Sequence, residues 1–120
     1  MFIFYNPNSC GINTGDCVIR ALSIATGLDW HTVYAELCVQ GYAMCDFGNS
    51  NRVFGTWLIN NGYEMRSMSR MRSVEQFAAD NPHGTFICCT GAHAVAVVDG
   101  NWIDSWDSGR EVVAYYFSKR

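Results

Sequence analysis

The chain has 120 residues, 49% of them apolar and 16% charged, with four Trp, six Tyr and seven Phe, which suits a globular domain and leaves little room for disorder. At this length a single α+β domain over residues 1–120 with one hydrophobic core is expected. The net charge of −3 argues against nucleic-acid binding, which needs a broad basic stripe, and no apolar run approaches the roughly 20 residues of a membrane span.

Phe2 to Tyr5 reads as a short edge strand, ended by the turn-rich Asn6-Pro7-Asn8-Ser9. The first helix is expected to start at Cys17. Val18, Ala21, Leu22 and Ala25 fall at helical spacing, Asp16 stands at the N-cap position and Gly27 is the stop. A second helix runs from Asp29 to about Gly41, with Trp30, Val33, Tyr34, Leu37 and Cys38 as its apolar stripe. A third spans about Asn51 to Asn60 on Val53, Phe54, Trp57 and Leu58, leaving through Asn61-Gly62. The cluster Arg66, Arg70 and Arg72 reads as a solvated loop flank. Ser73 with Gln76 forms a capping box for a short fourth helix, ended by Asn81-Pro82.

The period then changes. Thr85 to Cys89, His93 to Val98, Trp102 to Trp106 and Val112 to Phe117 are short β-branched or aromatic runs between turn residues. Helices first and strands afterwards predict a helical half packed on a small antiparallel sheet.

Six cysteines without a secretory signal are expected to stay reduced, in the cytoplasm. Their spacings lack a C-x-x-C pair, so no metal is expected, and no organic cofactor either. Cys38 and Cys88 read as small core residues, and Cys88 and Cys89 would face opposite sides of a strand.

Cys17 differs. In the first turn of a helix the unpaired N–H groups and the dipole favour a thiolate. The same N–H groups can receive the oxyanion of a tetrahedral intermediate, with Asn13 as a second candidate donor. On this feature alone a small buried cysteine at a helix start is the better explanation of the position. His93 shifts the balance, because it opens an apolar strand able to hold its ring, whereas His31 and His83 lie in exposed settings. If Asp99-Gly100 is a two-residue hairpin loop, Val98 pairs with Asn101 and Val97 with Trp102. His93, Val95, Trp102, Asp104 and Trp106 then share a face. Asp104 becomes the diagonal neighbour of His93, roughly 7–8 Å away from backbone to backbone across the strands, while Asp107 faces elsewhere. Asp104 can fix the tautomer of His93, and Trp106 can shield that bond from water.

The segment from His93 to Val98, followed by Trp102-Ile103-Asp104-Ser105-Trp106, resembles the histidine strand and Asn-Ser-Trp hairpin of the papain-like cysteine peptidases. Asp104 stands where that family usually has asparagine. Gly15-Asp16-Cys17-Val18-Ile19-Arg20-Ala21-Leu22 resembles the nucleophile segment of the OTU deubiquitinases, a branch of the same broad fold. The family's oxyanion glutamine falls at Gly11, which leaves Asn13 as the candidate. The resemblance implies a papain-like fold with the Cys-bearing helix packed on the sheet that presents the histidine. It implies a cysteine peptidase or isopeptidase acting on a peptide or protein substrate through a thioester, with Cys17, His93 and Asp104 as triad. Amidase, deamidase or transglutaminase-like acyl transfer, and a non-catalytic binding module, are the alternatives.

Overall fold

The computed structural model describes residues 1–120. In chain order the elements are β1 (Phe2–Phe4), α1 (Cys17–Thr26), α2 (Trp30–Met44), α3 (Asn51–Asn60), β2 (Tyr63–Ser67), α4 (Val74–Asp80), β3 (Thr85–Cys89), β4 (Ala94–Val98), β5 (Asn101–Asp104) and β6 (Tyr115–Lys119). The fold is α+β, as the change of period predicts.

The helices begin and end for local reasons. α1 stops at Gly27, whose φ of 76° lets its N–H reach the Ser23 carbonyl. α2 begins where the Asp29 carboxylate accepts from the N–H groups of His31 and Thr32. It does not stop at Gly41, as the sequence reading has it, but continues to Met44 and closes on Cys45 at φ 56°. Gly41 serves packing instead: a Cβ there would stand 2.5 Å from the Asp46 carbonyl oxygen. Only Val33, Leu37 and Gly41 of α2 are buried. Cys38, expected in the core, is exposed. α3 is capped by Ser50 and buries the expected stripe. α4 carries both hydrogen bonds of the Ser73–Gln76 capping box.

The six strands run in the order β1-β5-β4-β3-β6-β2. Every neighbouring pair is antiparallel except β1 and β5, so the sheet is mixed rather than purely antiparallel. The β4–β5 hairpin has the register expected from Asp99-Gly100, pairing Val98 with Asn101, Val97 with Trp102 and Ala96 with Ile103. Asp99 and Gly100 both have positive φ, 49° and 79°, the conformation a two-residue turn of this hand requires. The sequence reading missed β2 altogether. It is an edge strand in which Tyr63 alone is buried, so it lacks the apolar alternation that marks half-buried strands. Arg66 therefore lies on a strand beside Glu64, while Arg70 and Arg72 pair with Asp80.

Helices cover both faces of the sheet. On one, Val18, Ala21 and Leu22 of α1 meet Ile87, Cys89, Ala94 and Phe117, together with Leu37, Phe54 and Trp57 from α2 and α3. On the other, Val74, Phe77 and Ala78 of α4 meet Cys88, Val95, Val97, Trp102 and Val113. Cys88 and Cys89 thus face opposite ways, as strand alternation requires. Each fully buried aliphatic side chain here contributes about 1.5–3 kcal/mol. No helix is long and apolar enough to cross a membrane.

Gly41 offers a test in which two effects oppose each other. Helix propensity alone would make Gly41→Ala stabilising by about 1 kcal/mol. The 2.5 Å approach to a backbone oxygen cannot be relieved by a side-chain rotation. Urea unfolding should show a net loss of about 1–3 kcal/mol, the usual cost of overpacking.

Candidate functional site

Cys17 is the first residue of α1, and the first helical hydrogen bond runs from the Arg20 N–H to the Asp16 carbonyl at 2.9 Å. The N–H groups of Cys17, Val18 and Ile19 therefore have no acceptor within the helix. Asp16 does not cap them with its side chain. Its carboxylate turns instead to the Arg20 guanidinium and to the Trp30 indole N–H, which donates to it at 2.9 Å. The open end of the helix borders a cavity of about 370 Å³, lined by Gly15, Cys17, Asn49, Asn51, Phe54 and the segment 89–94.

His93 lies in that segment, immediately before β4 rather than within the strand. The Thr90 N–H donates to the His93 carbonyl at 2.8 Å and so closes the β3–β4 turn that presents the ring. His93 Nε2 lies 2.6 Å from Asp104 Oδ2, which leaves Nδ1 as the nitrogen available on the Cys17 side. The Trp106 ring lies against the imidazole with centroids 4.8 Å apart, and is itself 46% exposed. It covers His93 from solvent.

Asp104 ends β5 and is 3% exposed. Its Oδ2 also accepts from the Ser108 hydroxyl at 2.7 Å, and its Oδ1 accepts from the Ser105 N–H at 2.7 Å and from Arg20 Nη2 at 3.3 Å. β5 ends at Asp104 and not at Trp106. Arg20, also buried, lies between the two aspartates and one helical turn beyond Cys17. Its Nε has no partner. Asp107, by contrast, turns to the Trp102 indole N–H at 2.8 Å and makes no contact with the imidazole.

These surroundings set the protonation states. Burial pushes the Cys17 thiol up, but the His93 imidazole, the Ala94 N–H and the Arg20 charge outweigh it and hold the thiol below its ordinary value. Burial pulls His93 down, yet its bond to Asp104 and the neighbouring Cys17 raise it to about 9. Burial likewise opposes ionisation of Asp104, and its bonds from His93 and Ser108 carry it below the usual carboxylate range. Burial drives Cys89 the other way, up to about 12, and Cys88 also well upward. A thiolate facing an imidazolium at a helix N-terminus can attack an electrophilic carbon, and free N–H groups beside it can receive the oxygen that becomes negative.

The structure thus brings Cys17, His93, Asp104 and Trp106 together. Asn13 is exposed and does not line the cavity; the side chains there that carry amides are Asn49 and Asn51. Sequence reasoning passed over Arg20 and Ser108 as partners of Asp104. The Asp16–Arg20 spacing of four was a usable signal, since such pairs meet on a helix. Ser108 carried none, because only the loop after β5 returns it to the carboxylate. Compared with protein-family models, curated proteins and solved structures, the chain matches none.

The charge pair makes a spectroscopic prediction. The Cys17 thiol is held below its ordinary value and His93 is raised to about 9, so the site favours thiolate beside imidazolium, and above about pH 9 the imidazolium is lost. The thiolate absorbance assigned to Cys17, by difference from Cys17→Ala, should appear at lower pH than that of an ordinary thiol. In His93→Ala the same absorbance should move to higher pH. An unmoved titration would show that His93 does not hold the thiolate.

Proposed function

We propose that the chain is a papain-like cysteine hydrolase that cleaves an amide or isopeptide bond in a peptide or protein. The observation that carries this reading is the line from Asp104 through His93 to Cys17, with the thiol on the open end of a helix at the mouth of a cavity. Supporting it, the cysteine helix packs on β3 and β4, whose connecting turn holds His93. All six cysteines are unbridged, which suits a reducing cytoplasm.

In the proposed reaction Cys17 Sγ attacks the carbonyl carbon, and the carbonyl oxygen takes up the electron pair beside the Cys17 N–H. When the tetrahedral intermediate collapses, the C–N bond breaks and His93 gives its Nδ1 proton to the departing amine, leaving a thioester. Neutral His93 then takes a proton from water, whose oxygen attacks the thioester carbon. Collapse of the second intermediate releases a carboxylic acid, and Cys17 returns as thiolate facing imidazolium. Asp104 keeps the ring in the tautomer and orientation both steps need.

The thioester is the intermediate to look for. A p-nitrophenyl ester should release one equivalent of p-nitrophenolate in a burst, with the acyl mass increment found on Cys17 by peptide mapping. Cys17→Ser should show neither. Acylation spread over exposed Cys10, Cys38 and Cys45 instead would overturn the reading.

The two aspartates after the hairpin give a further test. Asp104→Asn keeps a hydrogen-bond acceptor toward His93 and should retain measurable kcat/KM. Asp104→Ala frees the ring and should lose more. Asp107→Ala removes only an exposed partner of Trp102 and Gly109. It should cost about 1 kcal/mol of stability and leave kcat/KM close to the parent value.

A further inference from the structure

The four helices of the chain begin in two ways. Asp29, Ser50 and Ser73 sit in extended backbone, with ψ between 145° and 166°, and each turns its side chain back to accept from N–H groups of the helix it opens. Asp16, an equally good capping residue, does neither. Its φ of −107° and ψ of 24° put it in the sparsely allowed bridge between the extended and helical regions, and no N–H of α1 reaches its carboxylate. Both carboxylate oxygens are taken elsewhere. Oδ1 accepts from Arg20 Nη1, and Oδ2 accepts from the Trp30 indole N–H at 2.9 Å. The Asp16 N–H in turn donates to the Thr14 carbonyl at 2.9 Å. Asp16 and Arg20 are each 5% exposed, so these bonds face little competition from water.

An aspartate released at this position would accept from the Val18 or Ile19 N–H, as capping residues do. It would then fill the donors an oxyanion needs and set a negative charge beside the Cys17 sulfur, where a like charge disfavours the thiolate. We propose that Arg20 and Trp30 are positioning residues that act through Asp16, clamping its carboxylate away from the start of α1 so that those N–H groups stay vacant. The inference rests on the hydrolase reading, in which a thiolate and then an oxyanion form at that place. Arg20 also reaches Asp104 at 3.3 Å, so replacing it would free two buried carboxylates at once. Trp30 is the member that can be changed. Phenylalanine there removes the donor to Asp16 and keeps an aromatic ring beside Tyr34, whose centroid lies 5.2 Å from that of Trp30.

The test is Trp30→Phe, read in two ways. Amide hydrogen exchange followed by NMR should show the Val18 or Ile19 N–H slowed roughly fivefold, because an uncapped amide gains an acceptor. Alkylation of Cys17 by iodoacetamide near neutral pH, in which the thiolate displaces iodide, should slow by roughly fivefold. In an Asp16→Ala background there is no carboxylate to release, and adding Trp30→Phe should leave the alkylation rate close to that of Asp16→Ala alone. A role for Trp30 in packing only would slow Cys17 in both backgrounds and leave both amides unprotected. Should Asp16→Ala fail to fold, the two readings of Trp30→Phe decide without it. If iodoacetamide does not single out Cys17 among the cysteines of the parent protein, the hydrolase reading fails and this inference with it. If it does, and Trp30→Phe leaves the exchange or the alkylation unchanged, or slows alkylation equally without Asp16, the clamp alone is overturned.

Discussion

A buried carboxylate is the constraint around which this molecule is arranged. Asp104 is almost fully removed from water, and an ion in that position must be compensated by donors or give up its charge. Four donors reach it, from His93, Arg20, Ser105 and Ser108. They come from the turn before β4, from α1 and from the loop after β5. Satisfying one side chain therefore ties together three parts of the chain that are distant in sequence. The guanidinium that reaches Asp104 stands on the helix that starts with Cys17, so the thiol and the carboxylate are referred to one rigid element.

The charge chain continues outward. Arg20 is shared between Asp104 and Asp16, and Asp16 also accepts from Trp30 at the start of α2. Such an arrangement is weak evidence for stability, because desolvating its members costs about as much as their attraction returns. Its clear effect is positional. The Asp16 side chain, drawn to Arg20 and Trp30, leaves the first N–H groups of α1 uncapped. A helix end left open beside a thiol is unfavourable for the helix alone, and it is the arrangement an anionic sulfur and a developing oxyanion need.

A second constraint is steric. Gly41 and Gly48 allow the segment between α2 and α3 to lie on α2 at backbone distance. That close packing accompanies the placing of Asn49 and Asn51 in the lining of the cavity at Cys17. The cavity is thus lined both by residues that follow a glycine-dependent loop and by the closed Thr90–His93 turn.

Much of this was legible in the residues. Helical spacing located α1, α2 and α3 to within a few residues, the Ser73–Gln76 box marked α4, and Asp99-Gly100 set the hairpin register that separates Asp104 from Asp107. These are local signals, in which neighbours along the chain decide the outcome. Where the outcome depended on distant groups, the sequence was silent or misleading. Gly41 looked like a helix stop, yet the helix runs on because the glycine answers to the Asp46 backbone. β2 carries no alternation of its own and exists because β6 offers it a ladder. Asn13 is near Cys17 in the chain, but Asn49 and Asn51 are near it in space. Ser108 gave no sign of its bond to Asp104. Propensity and periodicity are properties of short segments. The compensation of a buried charge is settled only when the whole chain has closed around it.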